Sequence, residues 1–251
     1  RVELFVLSDS VNMRSKDELI LEYHQVSTDE KLALNLHFRQ SLMTTYLIYN
    51  ALSYMGDAAG EMLAQLESNP NTSKRLKEGI RKSLGGIELY VLENEKWIYK
   101  GEFNETGPIA INHQALEIGL AQSSTVKIKL RFNKGLWRMD LAELVNVKKR
   151  VQPKTSLVSS IVYNEKVNGE KLNQLNDAGE MLISMPGDEY QMNFNMPFNG
   201  KQAVFLQSEG YYLEWIREYW MEKQELTKLR QVVYQPNKYL KNEAKNYKLY
   251  E

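Results

Sequence analysis

Val126-Lys127-Ile128-Lys129-Leu130-Arg131-Phe132 alternates without a break between apolar and basic side chains. Period two places successive side chains on opposite faces, so the stretch reads as a strand with one buried and one wet face. Asn133-Lys134-Gly135 then turns the chain, and Trp137, Met139 and Leu141 continue the apolar face. Upstream, Ile87, Leu89 and Val91 lead through the turn residues Glu93-Asn94-Glu95-Lys96 to Trp97, Tyr99 and Phe103, the clearest hairpin signal in the chain. Nearer the start, Leu19, Leu21 and Tyr23 share one parity, and Leu32, Leu34, Leu36 and Phe38 share another beyond Ser27-Thr28-Asp29-Glu30. These two runs predict a further hairpin, and Val2 to Leu7 predicts an opening strand.

Between these strands the period changes. Ile48, Leu52, Met55, Ala59, Met62 and Leu66 recur at helical spacing, with Leu42, Tyr46, Leu47 and Tyr49 adding apolar surface on other sides. The spacing predicts a helix whose first half is buried nearly all round, interrupted at Gly56-Asp57 and ended by Asn69-Pro70-Asn71. A shorter polar helix follows over 73–84 and stops at Gly85-Gly86. The charged, proline-containing run Lys148 to Lys154 reads as a linker. Beyond it, Ser156–Tyr163, Met181–Met185, Tyr190–Met196 and Ala203–Leu206 read as short strands, with turns at Asn168-Gly169, Pro186-Gly187-Asp188 and Asn199-Gly200. The chain closes with helices predicted over about 210–233 and 237–249, the second after Pro236.

The expected fold is therefore mainly β (α+β). It is a jelly-roll-like β-sandwich over 1–147 with a helical insertion at about 41–84, then a small second β region and a C-terminal helical segment over 148–251.

Composition excludes several chemistries. Lys+Arg and Asp+Glu both total 32, so no net field attracts a phosphate backbone, and nucleic acid is not an expected partner. With no cysteine there is no disulfide, thiolate nucleophile, Cys-type zinc site or iron–sulfur cluster. Leu42–Met55, the most apolar stretch, is too short to span a bilayer and carries Thr44, Thr45, Asn50 and Ser53. Because the chain opens on Arg1 and enters a strand at once, the expectation is a processed chain, with any signal peptide or lipid anchor upstream of Arg1.

Two stretches carry a more specific likeness. Trp97-Ile98-Tyr99-Lys100-Gly101-Glu102 with Thr106-Gly107-Pro108-Ile109, followed by Val126 to Phe132 and Lys134 to Asp140, resembles the second half of galactose-binding-like (discoidin-type) jelly-roll domains. With Pro186-Gly187-Asp188-Glu189-Tyr190 and Gly210-Tyr211-Tyr212-Leu213-Glu214-Trp215, the wider pattern is similar to a group of uncharacterised bacterial cell-envelope proteins, commonly lipoproteins. The resemblance implies a cell-envelope location, periplasmic or outer-membrane-associated. It carries over no ligand-contact residue and no activity.

No catalytic residue, metal ligand or cofactor is assigned. His24, His37 and His113 lie on separate predicted strands without metal-ligand spacing. Glu209, Glu214 and Glu218 read as helix-surface charge, and Asp188-Glu189 as turn chemistry. Ser8-Asp9-Ser10 is not followed by the hydroxyls a metal loop needs, since Val11 and Met13 stand there. Neither Gly85-Gly86 nor the Gly56–Gly60 stretch forms a phosphate cradle, and Gly-x-Ser-x-Gly is absent.

The aromatics are the notable set. Tyr211, Tyr212, Trp215, Tyr219 and Trp220 occupy more than one side of a predicted helix, which suits either packing on the β body or a partner surface. Trp97 and Tyr99 are candidate glycan-contact aromatics. The leading functional expectation is a non-enzymatic cell-envelope protein acting as a protein-interaction or assembly module. The alternatives are a carbohydrate-binding module and, third, a carboxylate-dependent hydrolase. Its partner is thus another envelope protein or a glycan.

Overall fold

The computed structural model describes residues 3–69, 71, 79–80, 82–106, 110–177, 179–196, 200, 203–210 and 217–251. Among these residues eight strands build the first of two units: β1 (Leu4–Phe5), β2 (Lys16–Tyr23), β3 (Lys31–Gln40), β4 (Ile87–Glu93), β5 (Lys96–Phe103), β6 (Asn112–Leu120), β7 (Val126–Asn133) and β8 (Trp137–Asn146). They form two four-stranded antiparallel sheets, in the orders β1-β8-β3-β6 and β2-β7-β4-β5. The pairs β1·β8, β2·β7, β3·β6 and β4·β5 nest around the β4–β5 turn, as in one long hairpin wound into two layers. That is the strand order of a jelly roll.

The β4–β5 turn is the tight one its sequence predicts. Asn94 and Glu95 both take positive φ, at 47° and 63°, as a turn matched to the twist of the flanking strands requires.

Two predicted connections take another course. β2 pairs with β7 and β3 with β6 and β8, so the runs expected to form the first hairpin lie in opposite sheets. The Asn133-Lys134-Gly135 turn likewise carries the chain from one sheet to the other, from β7 to β8. The reason is common to both cases. Alternation records which side of a strand is buried, and two strands facing each other across a sandwich show the same alternation as two strands side by side.

The inward faces make one continuous core. Leu34, Leu36 and Phe38 of β3 meet Leu89, Ile128, Leu130 and Phe132 of the second sheet, all nearly inaccessible to water. Phe38 packs edge-on against both Phe103, at 5.9 Å, and Trp137, at 5.5 Å. Gly135 (φ +77°) marks the crossing between sheets: a Cβ there would lie 2.5 Å from Ser8 Cβ, and its carbonyl accepts the Ser41 hydroxyl at 2.6 Å.

Helices close one end of this sandwich. After β3 come α1 (Met43–Ser53), a 3-10 turn (Gly56–Ala58) and α2 (Ala59–Ser68), so the break expected at Gly56-Asp57 is present. The buried stripe of α1 is Met43, Leu47 and Ala51, whereas Leu42 and Ile48 are exposed. The expectation of all-round burial is corrected: α1 lies over the sandwich end and buries one face.

The second unit, 150–212, holds β9 (Val158–Tyr163), β10 (Lys166–Val167), α3 (Gly169–Asn176) and β11 (Tyr190–Phe194), with sheet order β10-β9-β11. Asn168-Gly169, predicted as a turn, starts α3: the Asn168 side chain accepts the Lys171 N–H at 3.0 Å, a helix N-cap. The strands predicted at 181–185 and 203–206 are not formed; both stretches lack regular structure.

The chain then returns to the first unit, so the helical close does not share a domain with the small β region as the division at 147/148 implied. It consists of α4 (Glu218–Met221), α5 (Leu226–Tyr234) and α6 (Pro236–Tyr250). The single helix predicted over 210–233 is interrupted after α4 because the Glu225 N–H bonds the Tyr54 carbonyl at 3.0 Å. Tyr239, Leu240, Ala244 and Tyr247 of α6 complete the core. The Leu66 side chain, Asn199, Gly107 to Ile109 and most of the predicted 73–84 helix lie outside the described residues.

Candidate functional site

Of the five aromatics assigned to a partner surface, Tyr211, Tyr212 and Trp215 lie outside the described residues. Trp220 is 3% exposed, which corrects its assignment. Its ring packs 5.3 Å from Tyr49 of α1, with the Arg217 guanidinium over both rings at 5.2 and 4.6 Å. Burying an indole against α1 anchors α4 to the body. Tyr219 remains about half exposed and accepts from Arg217 Nη1 at 3.3 Å, which holds its phenol below the usual range.

The helical cap has its own polar core. Glu243 of α6 is buried and accepts the Tyr46 hydroxyl at 2.5 Å and Asn246 Nδ2 at 3.3 Å. Tyr54 and Tyr239 meet hydroxyl to hydroxyl at 3.3 Å. Burial pushes the phenols of Tyr46, Tyr54, Tyr239 and Tyr247 upward, and the Glu243 carboxylate adds to that for the first three. These groups are held neutral, and their work is to pin α1 to α6.

Trp97 and Tyr99 stand on the outer face of the second sheet, and register shows what surrounds them. Directly paired residues of an antiparallel sheet share a face, so Ile20 (β2), Lys129 (β7), Tyr90 (β4) and Tyr99 (β5) form one row across all four strands. The next row is Glu18, Arg131, Glu88 and Glu102. Trp97, paired with Leu92, flanks the aromatic row. Tyr99 is 54% exposed and Ile20 57%, while Tyr90 and Trp97 are half-buried.

Lys129 lies between the rings, its ammonium 5.1 Å from the Tyr90 centroid and 5.0 Å from that of Trp97. Tyr90 meets Tyr99 edge-on at 5.5 Å. Around the rings runs a ladder of ion pairs: Lys129–Glu18 at 3.3 Å, Lys127–Glu22 at 3.4 Å, Arg131–Glu88 at 3.3 Å and Lys16–Glu88 at 2.6 Å. Burial works to raise the Glu88 carboxyl, but the hydrogen bonds from Lys16 and Tyr90 prevail and hold it low. Tyr90 and Lys129 were not assigned to the site from sequence; the signal was the parity they share with Glu88 and Lys127, opposite to the core-facing Leu89 and Ile128.

The histidines do not converge. His37 and His113 face each other across β3·β6 with rings stacked at 3.8 Å and 4° apart, whereas His24 contacts Thr125 beyond β2. Among the described residues no group of three His, Asp or Glu side chains is arranged to hold a metal ion. Asp9 accepts the Val11 and Asn12 N–H groups at 2.7 and 3.0 Å, which lowers its pKa and orders the 8–12 loop.

In the second unit, Asp188 joins residues that sequence reading left apart. Its carboxylate accepts the Tyr163 hydroxyl at 2.8 Å, the Tyr190 hydroxyl at 3.2 Å and the Met185 N–H at 2.8 Å. The two phenols stack at 5.1 Å with Lys171 of α3 over both. Hydrogen bonding to Asp188 raises Tyr163, and the Met185 N–H, then Tyr163, lower Asp188. The cluster ties α3 and the 185–188 turn to the sheet.

That unit buries little else. Ile161 is the one apolar side chain that is fully buried among its described residues. Met181, Ile183, Met185, Val204, Phe205 and Leu206 are all at least 60% exposed. No helix among the described residues is long and apolar enough to cross a membrane. No protein-family model, curated protein or solved structure matches the chain.

Proposed function

We propose that this chain is a non-enzymatic protein-interaction or assembly module of the bacterial cell envelope, and that its second unit is the part that engages another envelope protein. The observation that carries the reading is the apolar surface of that unit. Two segments without regular structure, 181–185 and 203–206, expose Ile183 at 73% and Phe205 at 87%. Side chains of this size gain free energy when removed from water, and clustered exposure of them marks contact surface. The envelope setting is supported by the sequence resemblance carried by 97–140, 186–190 and 210–215 alone.

The test is cross-linking and co-purification from an envelope fraction with the chain unaltered, then with Ile183→Asp and Phe205→Asp. These positions carry no core packing, so unchanged amide exchange across 158–194 serves as the folding control. A partner captured by the parent chain and lost from both variants supports the reading. Capture that is the same with and without the substitutions overturns it.

A further inference from the structure

We propose that the second unit joins two copies of this chain, the open edge of β11 pairing antiparallel with the same edge of a second copy. This surface is separate from the 181–185 and 203–206 segments invoked above and stands without them. β11 ends the sheet order β10-β9-β11, so no other described strand pairs with its outer side. The Asn193 carbonyl accepts the Ser159 hydroxyl of β9 at 2.9 Å and so points inward, to β9. Backbone groups alternate in direction along a strand, which turns the Met192 N–H and C=O to the open side.

An open edge is a template for association, and the other edge strands of this chain carry devices against it. β1 and β10 are two residues long. β2 carries Lys16, Asp17, Glu18 and Glu22, and β5 carries Lys96, Lys100 and Glu102. β6 carries Glu117, and its register shifts close to Gly119, at φ +91°. β11, with the sequence Tyr190-Gln191-Met192-Asn193-Phe194, has neither charge nor proline. Where its pairing with β9 shifts, the extra residue is Ser159 of β9, so β11 itself stays regular.

The edge is complementary to itself, as an interface built on a two-fold axis must be. An axis through Met192 sets Met192 opposite Met192, Gln191 opposite Asn193, and Tyr190 opposite Phe194 of the second copy. Thioether meets thioether, amide meets amide and ring meets ring, and no like charges face each other. The central pair exchanges both N–H···O bonds. Register with β9 places Met192 beside Ile161 and Tyr190 beside Tyr163, on the face that Lys171 of α3 covers. Pairing therefore carries the Ile161–Met192 row across the axis into the same row of the second copy. Met192 and Phe194, 37% and 39% exposed, gain cover there, and a three-stranded sheet becomes one of six strands. A strand from another protein would find no charge on β11 to select it or fix its register. The chain's own β11 brings matched side chains that do both.

The experiment is sedimentation velocity of the purified whole chain across a concentration series, and a dimer that grows with concentration is expected. Met192→Pro removes the outward N–H without removing a bond to β9, and the dimer should be lost. Met192→Lys and Met192→Glu should each be monomeric alone and form a mixed dimer when combined, because residue 192 faces itself across the axis. Unchanged amide exchange across 158–194 shows that the second unit of each variant is folded, and if Met192→Pro disturbs it, the mixing of the Lys and Glu variants decides. The proposal is overturned by a parent chain that stays monomeric, by a dimer that survives Met192→Pro, or by Lys and Glu variants that do not combine. A dimer lost in Ile183→Asp or Phe205→Asp but kept in Met192→Pro also overturns it, and leaves the reading of the apolar segments as contact surface intact.

Discussion

The two units solve the same problem to different depths. In the jelly roll, both sheets and the helical cap turn side chains into one core, with Leu34, Leu36, Phe38, Ile128, Leu130 and Leu240 almost fully buried. The second unit has a three-stranded sheet with one helix against it, and Ile161 is its only fully buried apolar side chain among the described residues. Its organisation rests instead on the Asp188–Tyr163–Tyr190–Lys171 cluster, in which every hydrogen bond competes with water. The lesson is that a second layer, and not strand pairing alone, determines how much apolar surface a β unit can hide.

The largest effect should separate the units outright. Phe38→Ala removes a ring packed against Phe103 and Trp137 and is expected to cost about 3–5 kcal/mol in the main unfolding transition. Ile161→Ala should leave that transition in place and loosen only the second unit, as read by amide exchange across 158–194. An equal fall in the main transition for both variants would break the comparison.

Glycines with the same backbone sign sharpen it. Gly135 (φ +77°) has Ser8 where a Cβ would go, whereas Gly187 (φ +95°) has nothing within 4 Å. Gly135→Ala therefore meets strain and overlap, about 2–4 kcal/mol together, while Gly187→Ala meets the backbone cost alone, about 1 kcal/mol. Denaturant titration of the two variants measures the difference, and equal values would mean that surroundings do not matter at these turns.

Removing a single hydroxyl probes the cap. Tyr46→Phe takes from buried Glu243 its closest donor and should cost about 1–3 kcal/mol. A cost below a few tenths would place Glu243 in contact with water.

The smallest effect is in alkaline titration. Burial, then the nearby Glu143 charge, pushes Tyr23 from 10.0 up to about 12. The folded state then holds this proton more tightly than the unfolded state. Its contribution to stability is complete below pH 10 and is lost as pH rises through about 12. Tyr23→Phe should flatten that part of the alkaline melting curve. Tyr163 is raised by Asp188, with burial a lesser cause, so Asp188→Asn should return its phenol toward the ordinary value, as followed by ring-proton chemical shifts. If Asp188→Asn leaves Tyr163 unmoved, the polar cluster is not what perturbs it.

Much of the fold was legible along the chain. Strands β2 to β5, β7 and β8, the helical insertion with its break at Gly56, and α6 after Pro236 all follow from local period and turn chemistry, whereas β6 was not read. The exposed extended runs at 181–185 and 203–206 misled for an identifiable reason. Apolar composition such as Met181-Leu182-Ile183 predicts a strand only if another strand pairs with it, and no described strand does. In the candidate site, Trp97 and Tyr99 were visible as aromatics beside a turn. Their company of Tyr90, Lys129 and Glu88 depends on pairing between strands about forty residues apart in sequence, as in Glu88↔Arg131.

By itself the sequence determined which face of each strand is apolar, where the chain turns, and that the chain carries neither net charge nor thiol chemistry, because each of these is a property of neighbours along the backbone. Only the tertiary structure decided that β2 and β3, and β7 and β8, lie in opposite sheets instead of side by side. It also decided that Trp220 is an anchor on α1 and not a free surface, and that the last helices close the jelly roll. The physical reason is the same throughout. A buried face is a local demand that several partners can satisfy, and the choice among them is made by shape and register between segments far apart in the chain.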